Sequence, residues 1–87
     1  MKERFIQNYV NHITKEDILL FAQKNNVLLK KEEVDILYFH LKKNWRVFLY
    51  GNPTLIFTTL KAQLSPTTYD KGIQLFYEMK QKYQSLL

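Results

Sequence analysis

Apolar residues recur along this chain at the three- and four-residue spacings of a helix. Phe5, Ile6, Tyr9, Val10 and Ile13 share a side and predict a first helix over about residues 3–11. A stronger start signal follows. Thr14 is placed to cap, Asp17 falls at the third helical position as in a capping box, and Ile13 and Ile18 are placed to form a hydrophobic staple. The second helix is expected over about residues 15–24, with Ile18, Phe21 and Ala22 inward, and it ends at Asn25-Asn26, a pair that tolerates left-handed backbone.

Val27, Leu28 and Leu29 form a short apolar stretch before Lys30-Lys31-Glu32-Glu33 opens a third helix, expected over about residues 31–44. Its acids sit near the positive end of the helix dipole, and Lys42 and Lys43 sit at the negative end. Val34, Leu37, Tyr38, Leu41 and Trp45 keep one stripe, while Ile36 and Phe39 add a second apolar side, so this helix reads as central. Arg46 to Tyr50 is aromatic and β-branched, but a lone strand has no partner here, and the segment reads as a packed connector.

Gly51-Asn52-Pro53 combines a break, a cap and a proline at a helix start, and predicts a fourth helix over about residues 53–64 with Ile56, Phe57, Leu60 and Leu64 inward. Ser65-Pro66 repeats the arrangement and opens a fifth, over about residues 66–85. There Tyr69, Ile73, Phe76, Met79, Tyr83 and Leu86 face inward, and Gly72 is expected at a close helix crossing. These short connections and the missing strand partner make residues 1–87 a single all-α domain, a compact irregular array of about five helices.

Composition narrows the function classes. With no cysteine, the chain has no disulfide, no thiolate metal site and no cysteine nucleophile. No apolar run approaches the roughly 18 residues that span a bilayer, and no signal peptide is visible, so a cytoplasmic protein is the expectation. The net charge of +5 favours an anionic partner, either nucleic acid or an acidic protein surface. Residues 21–50 hold six basic and three acidic side chains, which concentrates the excess there.

Catalytic groupings are absent. His12 and His40 lie on different predicted helices without metal-ligand spacing, and Glu32, Glu33 and Asp35 are explained by a helix N-terminus and solvation. Two glycines, Gly51 and Gly72, cannot build a phosphate-binding loop. The expectation is a binding protein that is not an enzyme and takes no cofactor or metal.

Lys24, Lys30 and Lys31 flank the break between the second and third helices, and Lys42, Lys43 and Arg46 surround Trp45. If these converge, they form a nucleic-acid-binding surface of weak sequence specificity, with Trp45 as a stacking platform. The other reading is that Lys42 and Lys43 complement the helix dipole, Trp45 is core and the remaining lysines solubilise the surface. A protein-interaction or self-associating adaptor is the alternative function, through an apolar patch containing Phe48, Tyr50 and Tyr77 that also admits a homodimer.

The pattern His12-Ile13-Thr14-x-x-Asp17-Ile18-Leu19-x-Phe21-Ala22-x-x-Asn25, the Lys30 to Lys43 helix and the Ser65-Pro66-Thr67-Thr68 start together resemble the YqfT-like family. These are small proteins of low-GC Gram-positive bacteria, built on a domain of unknown function, and the resemblance implies no catalytic or binding residues. Residues 14–43 are also similar to the helix-extended-helix motif of SAP-like and LEM-like domains, which include DNA binders and protein binders. The chain departs from the SAP-like pattern in carrying Asn25-Asn26 where a linker glycine is usual.

Overall fold

The computed structural model describes residues 2–84, with the side chains of Lys2, Met79, Tyr83 and Gln84 outside the description. Five helices follow one another: α1 (Lys2–His12), α2 (Lys15–Lys24), α3 (Lys31–Tyr50), α4 (Thr54–Gln63) and α5 (Pro66–Gln84). No strand occurs among the described residues, so the chain is all-α. The inward positions expected of Met79, Tyr83 and Leu86 lie outside the described side chains.

Local chemistry sets the ends of α2. Thr14 Oγ1 accepts from the Asp17 amide at 3.1 Å and Asp17 Oδ2 accepts from the Thr14 amide at 2.9 Å, completing the capping box. At the other end Asn26 takes φ 62°, the Asn26 amide donates to Gln23 O and the Val27 amide to Ala22 O. That pairing is a Schellman motif, and it turns Val27 into the core as the chain leaves the helix.

Helix α3 is longer than the sequence suggests. Arg46–Tyr50, expected as a connector, continues it as helix beyond a kink at Asn44 (φ −120°, ψ 16°). Asn44 Nδ2 lies 3.4 Å from His40 Nδ1 one turn back. Tertiary packing overrides the β-leaning composition. Phe48, beyond the kink, joins Phe57 of α4 and Phe76 of α5 in an aromatic cluster with centroids 5.1–5.9 Å apart.

Helix α3 is the axis of the molecule: α1 and α2 pack on one part of it and α4 on another, while α5 packs on α4. Among the described residues Val10, Ala22, Val27, Val34, Trp45, Leu60 and Leu64 form the buried apolar core, and Pro53 is buried as well. Two inward assignments change. Phe21 is exposed because Ala22, with Ile18 and Leu19 half-buried, forms the packed side of α2. Phe5 and Tyr9 are exposed because α1 turns Ile6 and Val10 inward. Gly72 also differs from expectation, since a Cβ there would meet nothing within 4 Å and no helix crosses at that point.

Candidate functional site

The six basic candidates do not converge. Lys24, Lys30 and Lys31 are exposed around the α2–α3 connection, while Lys43 lies about 18 Å further along α3 at roughly 1.5 Å per residue. Exposed Glu32 and Asp35 lie between the two groups on α3. The acids at the start match the dipole of the helix, whereas Lys42 and Lys43, expected at its negative end, lie about two turns before Tyr50, and the last turn of α3 carries no basic residue.

Four of the proposed contact residues are engaged within the fold. Lys42 Nζ donates to Val10 O at 2.6 Å and Asn11 O at 2.8 Å, two carbonyls in the last turn of α1, of which Val10 O also accepts from the Ile13 amide. Arg46 Nε donates to Glu3 Oε1 at 3.0 Å, and its guanidinium lies 4.4 Å from the Trp45 ring centroid. Trp45 itself is 5% exposed, so the stacking-platform role has no ring face to offer a base. Lys43 Nζ stands over the Phe39 ring at 5.3 Å.

Of the aromatics expected in an apolar patch, Phe48 is half-buried in the cluster described above, whereas Tyr50 and Tyr77 are exposed. A different apolar face stands out, between α3 and α4. A shallow hollow there is lined by Asp35, Ile36, Phe39 and His40 from α3 and by Thr59 and Gln63 from α4. Phe39 on its rim is 55% exposed, and Leu55, one turn before Thr59, is 82% exposed. His40 braces the floor: its Nε2 lies 3.2 Å from Gln63 Oε1 and its Nδ1 3.4 Å from Asn44 Nδ2.

The outer side of α4 continues this face. Leu55, Thr58, Thr59 and Ala62 follow i, i+3, i+4 and i+7 and are all exposed, and Lys61, the only charged residue of α4, lies off that stripe. Thr58 Oγ1 donates to Thr54 O at 3.1 Å and Thr59 Oγ1 to Leu55 O at 3.2 Å. Both hydroxyl protons are thus directed into the helix backbone, which lowers the polarity of the outward surface. The sequence reading placed Ile56, Phe57, Leu60 and Leu64 inward and did not single out this outer stripe.

One group that sequence reasoning left at the surface is central to the fold. Glu33 is 4% exposed, and its carboxylate accepts from the Lys30 amide at 3.1 Å and from the Ser65 amide and hydroxyl, each at 3.0 Å. Burial pushes its pKa up, but hydrogen bonds from the Ser65 and Lys30 amides and the Ser65 and Thr68 hydroxyls outweigh it, leaving the pKa below its ordinary value. Every polar contact of Glu33 is structural. The signal for it was present as Ser65-Pro66-x-Thr68, a helix start whose serine finds its acceptor 32 residues away in the chain.

Among the described residues no group of three His, Asp or Glu side chains could hold a metal ion, and no helix is long and apolar enough to cross a membrane. Compared with family models, curated proteins and solved structures, the chain matches none.

Proposed function

We propose that this protein is a non-catalytic helical interaction module that docks a protein segment on its α3–α4 face. The observation that carries the reading is the outer side of α4: an exposed, charge-free stripe from Leu55 to Ala62, with both threonine hydroxyls bonded to their own helix, beside the exposed Phe39. Exposed apolar surface of this kind on a small protein marks a contact face. A helix laid into the α3–α4 hollow would bury Leu55 and Phe39 against its own apolar stripe.

The nucleic-acid reading draws less support. Lys42 is held by α1, Arg46 by Glu3, Trp45 is buried, and of the remaining lysines Lys24, Lys30 and Lys31 lie about the start of α3 and Lys43 in its middle. The test is to pan a library of displayed helical peptides against the chain and measure the winners on Leu55→Glu and Phe39→Glu. Peptides that bind the natural chain and lose binding to both variants are the expected result. Salt-sensitive binding of single- or double-stranded nucleic acid, abolished by Lys43→Glu and untouched by Leu55→Glu, would replace this reading with the other.

A further inference from the structure

We infer that α5 is a hinged strap latched to α3 by the Glu33 carboxylate, and that proton uptake by this group lets α5 swing off the body while α1 to α4 stay folded. The packing divides in that way. The buried apolar side chains, from Val10 to Leu64, all precede α5. Among the described side chains of α5 only Thr68 is buried, Tyr69, Ile73, Leu75 and Phe76 are half-buried, and Tyr77 is exposed. A helix that closes over a core without entering it can open at low cost to the packing that remains.

The body keeps its own ties when α5 leaves. Phe57 of α4 stays against Phe48 of α3 with centroids 5.9 Å apart, and Gln63 stays beside His40. Leu64, extended (ψ 154°) and buried, anchors the joint from which α5 departs. Opening removes Phe76 from its contacts with Phe48 and Phe57 and uncovers both rings.

The latch itself is one-sided. Glu33 Oε1 accepts from the Lys30 amide and Oε2 from the Ser65 amide and hydroxyl, with Thr68 Oγ1 2.9 Å from that hydroxyl. Two of these donors are backbone amides and cannot turn round. A protonated carboxyl gives up an acceptor and brings its own O–H among donors, in a site 4% exposed where water does not replace the lost bonds.

Among the described residues no cation pairs with Glu33. Lys24 on α2, Lys30, Lys31 and Glu32 at the start of α3, Lys61 on α4, and Asp70 and Lys71 on α5 are all exposed, and His40 further along α3 lies against Gln63. The ion pairs Lys15–Asp35 and Arg46–Glu3 involve other groups. Burial raises the pKa of the carboxyl, and the bonds from Ser65, Lys30 and Thr68 lower it further, to below its ordinary value. An opened strap returns the group to water, so acid favours the open form.

Native-state hydrogen exchange of the full chain, read as protection factors at single amides from pH about 7 to about 3, tests this. Amides of α5 are expected to exchange through a smaller opening than those of α2 and central α3 at neutral pH. On acidification their protection should fall by about a hundredfold before that of α2 and central α3 changes. Glu33→Gln has the shape of the protonated acid, and its α5 should show the lowered protection already at neutral pH with no further acid loss of its own. Ser65→Ala, which keeps the amide bond, should lower α5 protection by about tenfold.

One protection level shared by α5 and central α3 at every pH overturns the inference. So does a Glu33→Gln chain whose α5 keeps its natural protection, or still loses it with acid. The first comparison needs only the natural chain, and it decides even where Glu33→Gln fails to fold.

Discussion

Ser65 donates both its backbone N–H and its hydroxyl to Glu33 Oε2, each at 3.0 Å, so a carboxylate in the first turn of α3 anchors the residue that launches α5. The other carboxylate oxygen, Oε1, accepts from the Lys30 amide at the start of α3. One buried charge therefore serves two helix starts, where amides have no helical acceptor. Thr68, also buried, lies 2.9 Å from the Ser65 hydroxyl and extends the network into the first turn of α5.

Replacing Glu33 by Gln keeps the volume but turns an amide toward donors that need an acceptor. The expected loss is about 2–3 kcal/mol of unfolding free energy in urea, because hydrogen bonds to a buried charge are stronger than neutral ones. Ser65→Ala keeps the backbone amide bond and should lose less, about 1 kcal/mol. A double-mutant cycle on the pair should show coupling.

The same contacts fix a pH dependence. Because the folded pKa of Glu33 lies below the ordinary glutamate value of 4.5, the unfolded chain binds the proton more readily. The stabilisation is complete above about 4.5 and is lost as pH falls through the lower folded value. Urea midpoints measured downward from neutral pH should therefore fall less steeply in Glu33→Gln than in the natural chain. Parallel curves would mean that this carboxylate does not control the acid limb.

Lys42 and Lys43 are neighbours with opposite expected responses. Lys42→Met removes the ammonium from Val10 O and Asn11 O and should cost about 1–2 kcal/mol, with faster amide exchange concentrated in α1. Lys43→Glu, at an exposed position, should stay within about 0.5 kcal/mol of the natural chain. A Lys42, Lys43 double charge reversal therefore unsettles α1 as well as the surface charge, and only the Lys43 single variant isolates a binding role.

Gly72 lies inside α5 with open space where a Cβ would project. Gly72→Ala should raise stability by about 0.5–1 kcal/mol through helix propensity and a less flexible unfolded chain. Thermal unfolding reads this directly, and a lowered midpoint would reveal a contact at Gly72 that the fold does not show.

The resemblance between expectation and structure is closest where short-range chemistry governs. Thr14 with Asp17 started α2, Asn25-Asn26 ended it, and Pro66 opened α5, because caps and turns are satisfied within a few residues of sequence. The kink at Asn44 and the helical course of Arg46–Tyr50 were not readable that way. They depend on Phe48 meeting Phe57 and Phe76 from later helices.

The candidate site divides along the same line. Residue type and periodicity determined by themselves that the chain is all-helical, basic and cysteine-free. Only the tertiary structure decided which side of each helix is covered, and with it the role of every singled-out side chain. It buried Trp45 and Glu33, tied Lys42 to α1, and left Leu55 and Phe39 exposed. The physical reason is that an apolar stripe specifies that a helix side can be buried, whereas the neighbour that buries it, or leaves it open for a partner, comes from contacts distant in the chain.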